Sequence, residues 1–246
     1  MLAMVYSSRL DAVRNSSQIA KPSDHREVTM TKLINKDKSA QGLYKQIKID
    51  LISCVYQPGE RIVIDQLAER LRVSSTPVRE ILNRLAAEEL VSIVPQMGFF
   101  MPMLTETDLR DLYSMQQIFL NWAVQRISQI CSEDGLRRFS RLPFDISNLQ
   151  DDQPLSSEQL AELIGDFFLH LIRIGDNNEV THKTNNLNDR LYQVRARENK
   201  VTDNFKEDLM ALCEVYIQKD FLRLQNLMDG YFASRIALVP ALISTF

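Results

Sequence analysis

The side chains with the clearest binding chemistry lie in residues 64–90, IDQLAERLRVSSTPVREILNRLAAEEL. Their apolar spacing predicts two short amphipathic helices joined by a tight turn, with Arg79 on the outer face of the second helix. A guanidinium in that position can bind a guanine edge through two hydrogen bonds or contact a phosphate. The layout is typical of a helix-turn-helix whose second helix enters the DNA major groove. The alternative for Arg79 is a surface ion pair with a neighbouring glutamate.

The predicted DNA contacts at the turn and on the second helix are Ser75, Thr76, Pro77, Arg79 and Asn83. We expect the turn at Val73-Ser74-Ser75, with Thr76 as the N-cap and Pro77 at the first helical position, where its missing N–H costs nothing. The Thr76 hydroxyl or backbone can also donate to a phosphate at the helix N-terminus. The predicted buried stripe is Val78, Ile81, Leu82 and Leu85, and the outward residues are Arg79, Glu80, Asn83 and Arg84.

Elements on both sides must hold this unit in place. Residues 42–54 show helical spacing at Leu43, Ile47, Leu51 and Val55, and the pattern stops at Pro58-Gly59. Residues 64–71 form the first helix of the pair, with Asp65 near its start. Apolar alternation around Pro95-Gln96-Met97-Gly98 predicts a β-hairpin, which makes the domain a winged helix.

The chain divides into three predicted parts. Residues 1–40 are polar without periodicity and are interpreted as a flexible arm. Residues 41–104 form the winged helix-turn-helix domain, and residues 105–246 an all-α helical bundle, so the fold class is mainly α. Thr105 is placed to cap the first helix of the bundle. The predicted helices there are 106–130, 133–142, 156–175, 178–196, 201–217 and 219–243.

Composition and charge narrow the class of protein. With 45 % hydrophobic and 25 % charged residues the chain suits an ordinary globular protein. No apolar run approaches the ~20 residues of a membrane span, and no secretory signal is evident. The three scattered cysteines suit a reducing compartment, so we predict a cytoplasmic protein with no membrane partner.

The charge is unevenly distributed along the chain. Residues 1–40 carry 7 Lys/Arg and 4 Asp/Glu, residues 41–105 carry 7 of each, and residues 106–246 carry 15 and 21. This asymmetry favours a DNA-binding end joined to an acidic second domain. Because the winged region itself is neutral, DNA affinity should depend on a dimer and on the N-terminal arm.

Residues 41–104 resemble the GntR family of bacterial transcription regulators. The matching segments are LYKQIKIDLISCVYQPGERI, LAERLRVSSTPVREILNRLAAEELV and PQMGFF. The helices that follow are similar in length and pattern to the FadR-type effector domain of that family, called FCD. The resemblance implies a homodimer on an inverted-repeat, double-stranded DNA operator, with a small-molecule effector in the helical domain.

The resemblance also implies DNA contacts outside the second helix. Arg61 and Arg72 become candidate phosphate contacts, with plain solvated surface as the alternative. Gly98 would let the wing backbone approach the minor groove, or it is simply a turn glycine. Three positions depart from the family pattern, which has an arginine at Ser75, a basic residue at Asp65 and a basic or polar residue at Met97. Losing two cations predicts a different operator or weaker binding.

Metal-binding members of the subfamily use an Asp, a His four residues later and two further His. Asp166 and His170 have that spacing, and Asp208 and Tyr231 stand where the later ligands are expected. Asp166, His170 and Asp208 are therefore candidate ligands for a divalent metal such as Zn or Ni. The alternative is a hydrogen-bonded core or pocket pair without metal.

Arg195 is the candidate that would bind an effector carboxylate. Leu187, Leu191 and Val194 mark a buried helix face around it, so its guanidinium is predicted to point inward. Surface solvation is the alternative. The predicted effector-binding residues are Asp166, His170, Arg195, Asp208 and Tyr231.

The sequence therefore predicts a transcription regulator whose operator affinity responds to a small, carboxylate-containing effector. Repression relieved by ligand is the commoner mode in the family. We predict no enzyme, since the chain has no Gly-rich phosphate loop, nucleophile elbow or HExxH motif. Two alternatives stay open: a degenerate regulator acting through protein contacts, and a metal-assisted hydrolase using Asp166, His170 and Asp208.

Overall fold

The computed structural model describes residues 39–53, 56–133, 141–146, 149 and 155–246. The chain divides into two compact units, with the boundary between Met103 and Leu104. Nearly all of the predicted arm 1–40 lies outside the described residues. The same holds for Cys54 and Val55 and for residues 134–140 of the predicted helix 133–142.

The first unit is a winged helix-turn-helix. Its elements are α1 (Ala40–Ile52), β1 (Arg61–Ile62), α2 (Ile64–Leu71), α3 (Ser75–Ala87), β2 (Ser92–Val94) and β3 (Gly98–Phe100). The predicted hairpin is present as β2 and β3, and β1 joins it to give an antiparallel sheet in the order β1-β3-β2. Strand β1 was not predicted, because two residues are too few to show an alternating pattern.

The helix-turn-helix corner differs from the prediction by two residues. Helix α2 ends with Arg72 in the left-handed conformation (φ 56), and α3 begins at Ser75 with Ser74 as its N-cap. The prediction that Thr76 is the N-cap and Pro77 the first helical residue is therefore wrong. Pro77 is tolerated at the third position because N–H groups of the first turn have no intrahelical acceptor. It also leaves Ser74 without the N–H that an N-cap side chain commonly accepts from, and Ser74 makes no such bond.

The predicted buried stripe of α3 is confirmed. Val78, Leu82 and Leu85 are fully buried, and Ile81 is 8 % exposed. They pack with Tyr44, Ile47 and Leu51 of α1, with Leu67 of α2 and with Phe99 of β3 into one core. Because the inner face of α3 is packed against this core, its outer face is exposed to solvent.

The regular elements that the structure describes in the second unit are all helical. Its helices are α4 (Glu106–Glu133), α5 (Ser157–Ile174), α6 (Asn178–Arg195), a 3-10 turn (Glu198–Lys200), α7 (Phe205–Gln218) and α8 (Phe221–Ile243). Thr105 caps α4 as predicted, since its hydroxyl accepts from the Asp108 N–H at 3.1 Å. Helix α7 begins four residues later than predicted, because residues 201–204 form a non-helical connection after the 3-10 turn.

A proline inside α8 has a compensating partner. Pro240 has no N–H to donate to the carbonyl of Ile236, four residues earlier. Arg110 of α4 donates its Nη1 to that carbonyl at 3.0 Å. The lost helical hydrogen bond is thus replaced by a contact that joins α4 to α8.

The two described cysteines behave as ordinary thiols in a helical core. Cys213 is fully buried and Cys131 partly buried, and both are free. Burial raises the pKa of the Cys213 thiol to about 12. Among the described helices, none is long and apolar enough to cross a membrane.

Candidate functional sites

An open cleft of about 540 Å³ lies between α3 and the wing. Three of its polar lining residues, Arg61, Arg79 and Asn83, are exposed. The apolar lining includes Ile93 and Met97, which are 54 % and 41 % exposed. The cleft therefore combines groups that bind base edges and phosphates with apolar groups that suit a thymine methyl.

Arg79 is exposed and has no hydrogen bond or ion pair with any residue that the structure describes. Arg84, five residues further along α3, differs in that its Nε lies 3.3 Å from a carboxylate oxygen of Glu88. The Arg84 guanidinium also stacks 3.9 Å from the ring centre of Tyr44. The ion pair with glutamate that was the alternative for Arg79 is found at Arg84 instead. The Arg79 guanidinium is available to a ligand.

Asp65 and Ser75 are hydrogen-bonded to each other. The Ser75 hydroxyl donates to Oδ1 of Asp65 at 2.7 Å, which joins the first turn of α2 to the first residue of α3. Asp65 also lines the cleft, and its side chain is exposed. Two positions at which the sequence departs from the family pattern therefore form one structural unit.

The other predicted DNA contacts are distributed around this surface. Gly98 lies in the cleft with φ +105, and a Cβ built there would lie 3.9 Å from Nη2 of Arg61. Arg72 and Thr76 are exposed but are not among the cleft-lining residues, and Pro77 is half-buried in the first turn of α3. The structure thus brings Arg61, Arg79, Asn83 and Gly98 together and leaves the others at the corner of the motif.

In the second unit, Arg195 points inward as its spacing predicted. The side chain is 1 % exposed. Its Nη2 donates to the side-chain Oε1 of Gln116 at 2.7 Å and its Nη1 to the side-chain Oδ1 of Asn188 at 3.2 Å. Gly165 makes room for it, since a Cβ there would lie 3.3 Å from Nη1 of Arg195. The guanidinium is therefore held by neutral amides.

A second buried arginine was not predicted. Arg235 is 1 % exposed, donates from Nε to Glu198 at 3.0 Å, and is bonded through Nη1 to Asp208. Glu198 is fully buried and also accepts from the Tyr113 hydroxyl at 3.0 Å. The sequence did contain a signal for Arg235, which continues the apolar face of Met228, Phe232 and Val239. Glu198 lies in a 3-10 turn, where no periodicity could mark it.

Three buried donors of this cluster lack a partner among the described residues. They are Nε of Arg195, Nη2 of Arg235 and the hydroxyl of Tyr231. The Arg235 guanidinium lies 4.1 Å from the Tyr231 ring centre. Phe168 lies between Tyr231 and Arg195, at 5.6 Å from each. All three groups are hydrogen-bond donors.

Electrostatics place both guanidiniums near the Tyr231 hydroxyl. Burial, the largest effect, and the neighbouring Glu198 raise the pKa of Tyr231, while Arg235 and Arg195 act in the lowering direction. The hydroxyl therefore stays protonated and remains a donor.

The three predicted metal ligands do not form a metal site. His170 is half-buried, with Nε2 lying 2.8 Å from the Tyr216 hydroxyl, whereas Asp166 on the same helix is exposed. Asp208 is bonded to Arg235 instead. Across the described ranges no three His, Cys, Asp or Glu side chains come together as metal ligands. Asp166 and His170 do lie four residues apart on one helix, as predicted. Asp208 of α7, the third expected ligand, is instead bonded to Arg235, a partner that the sequence did not predict.

Residues 39–101 match the family described as "Bacterial regulatory proteins, gntR family". The Nta operon transcriptional regulator of Aminobacter aminovorans is 25% identical over 194 residues, covering 73% of this chain and 91% of that protein. Residues 39–101 therefore form a DNA-binding domain of the GntR type. The HTH-type transcriptional repressor GlaR of Escherichia coli is 31% identical over 87 residues, which cover 34% of this chain and 40% of that repressor.

Solved GntR-type structures share the fold. McbR/YncC of E. coli superimposes with a TM-score of 0.61 at 19% identity, covering 82% of this chain and 97% of that one. A GntR transcriptional regulator from Rhodococcus sp. RHA1 gives a TM-score of 0.63 at 15% identity, with the same coverage. The predicted winged helix followed by a helical domain is confirmed, and so is the prediction of a DNA-binding transcription regulator of the GntR family. The family and these relatives are regulators and not enzymes, which removes the hydrolase alternative.

Proposed function

We propose that this GntR-family regulator binds an inverted-repeat operator as a homodimer and that a small carboxylate-bearing effector in its helical, FCD-like unit changes its operator affinity. In the proposed mode, the protein represses a promoter, and binding of the effector relieves that repression. The observation that carries the effector part is the set of three unpartnered donors on Arg195, Arg235 and Tyr231.

The DNA part rests on the cleft between α3 and the wing. Arg79 is exposed and unpaired within the described chain, on the face of α3 opposite its core stripe. With α3 in the major groove, that guanidinium reaches a guanine edge or a phosphate. Arg61 and Gly98 lie at the wing side of the same cleft, where they meet the adjacent backbone.

The proposed homodimer follows from the length of DNA that one winged helix covers. One winged helix covers one half-site, so an inverted repeat needs two copies related by a two-fold axis. Helix α4 offers an apolar surface for that contact, since Met115 and Ile118 are three residues apart and are 39 % and 65 % exposed.

The effector part rests on the cost of buried donors. Each unsatisfied buried polar group costs roughly 1–3 kcal/mol, so an acceptor that satisfies three of them binds favourably. A carboxylate provides two oxygens and pairs with guanidinium by charge-assisted bonds. Arg235 already has two carboxylate partners, whereas Arg195 has amide partners in the bonds described above. Arg195 is therefore the anchor, and Tyr231 and Arg235 complete the site.

The DNA part is tested by fluorescence anisotropy of the full chain with DNA from upstream of its own gene, across a salt series. We expect saturable binding that exceeds binding to a scrambled duplex and that weakens steeply with salt. Equal binding to both duplexes at every salt concentration would contradict a specific operator there and favour a regulator that acts through protein contacts.

The effector part is tested by thermal denaturation and by release of bound DNA with sodium acetate, benzoate and succinate against sodium chloride at equal ionic strength. We expect a carboxylate to raise the melting temperature of the wild type and of Arg126→Gln, which alters an exposed arginine of α4. Arg195→Gln should abolish that rise. A rise that persists in Arg195→Gln would place the anion elsewhere.

A further inference from the structure

Asp65 places a carboxylate on the surface that the proposed function assigns to DNA. It lies in the first turn of α2, is exposed, and lines the cleft together with Arg79 and Asn83. A carboxylate facing a phosphate is repelled, so an acidic residue on this surface weakens binding unless it meets a donor. The question is therefore which DNA base could donate a hydrogen bond to the Asp65 carboxylate.

The hydrogen bond with Ser75 determines what this corner offers a ligand. A serine hydroxyl has one donor and two acceptor positions, and Ser75 uses its donor on Oδ1 of Asp65 at 2.7 Å. Oδ2 of Asp65 has no hydrogen bond with any residue that the structure describes. The Asp65 and Ser75 side chains therefore offer a ligand only acceptors, and the hydrogen bond between them holds the carboxylate in one position.

Bases differ in whether they can donate a hydrogen bond to the Asp65 carboxylate. In the major groove guanine presents two acceptors, N7 and O6, whereas cytosine presents the N4 amino donor. Acidic side chains accordingly accept from cytosine N4. Guanine opposite Asp65 would bring lone pairs against lone pairs.

We propose that Asp65, positioned by Ser75, is a base-selecting residue that accepts a hydrogen bond from the amino group of a cytosine in each operator half-site and disfavours guanine there. The inference rests on the proposed function, because it requires α3 in the major groove of a specific operator. Arg79 lines the same cleft and offers hydrogen-bond donors, which the Asp65 carboxylate does not have.

The experiment begins with selection of bound sequences from a duplex library with a randomised 24-base-pair centre, using the wild-type full chain. Four duplexes that differ at one half-site position are then compared by anisotropy for the wild type, Asp65→Asn, Ser75→Ala and Glu69→Gln. Glu69 is the matched control, since it is an exposed acid of α2 outside the cleft lining and its substitution removes the same charge.

We expect the wild type to prefer cytosine over guanine about tenfold at one position, the usual cost of one mismatched base pair. Asp65→Asn should lose most of that ratio, because an amide presents both donor and acceptor. Ser75→Ala should lose part of it, because the carboxylate is no longer held. Glu69→Gln should bind all four duplexes somewhat more tightly with the ratio unchanged.

An unchanged base ratio in Asp65→Asn, with affinity raised equally for all four duplexes, would overturn the inference and leave Asp65 as a source of phosphate repulsion. A wild type that enriches no sequence would instead overturn the proposed operator binding. Because Asp65 is exposed, melting temperatures close to that of the wild type should confirm that the variants are folded.

Discussion

The Ser75 hydroxyl donates to Oδ1 of Asp65 at 2.7 Å, so the helix-turn-helix corner of this regulator is closed by a neutral–acidic pair. These are two of the positions at which the resemblance to the GntR family led us to expect basic residues. The pair also joins the first turn of α2 to the start of α3, which helps to set the angle at which α3 is presented.

Replacing Arg79 should weaken operator binding far more than replacing Arg84. Arg79→Ala removes a guanidinium that is free within the described chain, and loss of such a base contact costs about 1–3 kcal/mol, or roughly 5- to 150-fold in affinity. Arg84→Ala removes the same charge from the same helix, but its guanidinium pairs with Glu88 and stacks on Tyr44. Anisotropy titrations of both variants make the comparison, and equal losses would assign Arg79 to general electrostatics.

Tyr231→Phe should leave the ligand-free protein as stable as the wild type, or more stable. The Tyr231 hydroxyl is buried without a partner, so removing it relieves an unsatisfied group. Tyr113→Phe is the matched control, because its hydroxyl bonds the buried Glu198 and its loss should cost roughly 1–3 kcal/mol. Urea denaturation gives both free energies of unfolding. A large loss in Tyr231→Phe would mean that the hydroxyl has a partner in solution.

Arg235→Met should be among the most destabilising substitutions in the second unit. It leaves Glu198 fully buried without its cation, and breaking one side of a buried ion pair typically costs about 3–5 kcal/mol. The double variant Arg235→Met with Glu198→Gln should recover part of that loss, since the uncompensated charge is gone. If the double variant is no more stable than the single one, the loss comes from packing around Arg235.

Acidification should destabilise the protein through His170. Burial, and to a lesser extent Arg173, lower the pKa of His170 below its ordinary value of 6.5. The unfolded state therefore takes up the proton first, and the free energy of unfolding falls as the pH drops below about 6.5. His170→Gln should flatten this part of the pH profile, whereas His182→Gln, at an exposed position, should retain it.

Ile118→Glu should shift the protein towards the monomer. Ile118 is 65 % exposed on α4, and a carboxylate there would be buried against its copy if this face forms the dimer. Light scattering after gel filtration measures the mass, and Leu222→Glu, at a residue 74 % exposed on α8, serves as a comparison. An Ile118→Glu protein that remains dimeric would place the interface on another surface.

Much of the first unit and of the bundle was predictable because its signals are local. The Thr-Pro-Val-Arg-Glu segment and the 3.6-residue spacing predicted α3 and its buried stripe, which the structure confirms. The same periodicity around Leu187, Leu191 and Val194 predicted that Arg195 is buried, and it is 1 % exposed. These features depend on neighbours three or four residues away along the chain.

The tertiary structure alone decided which distant groups meet. Strand β1 exists because Arg61 and Ile62 pair with Phe100 and Phe99 of β3. Asp208 bonds Arg235 across 27 residues, and Tyr113 bonds Glu198 across 85, so the expected metal set gave way to a buried cluster of two guanidiniums and their acceptors. The sequence by itself determined which residues face inward on each helix. Which of them become partners depended on how the helices pack, because a buried polar or charged group needs hydrogen-bond partners or an opposite charge beside it.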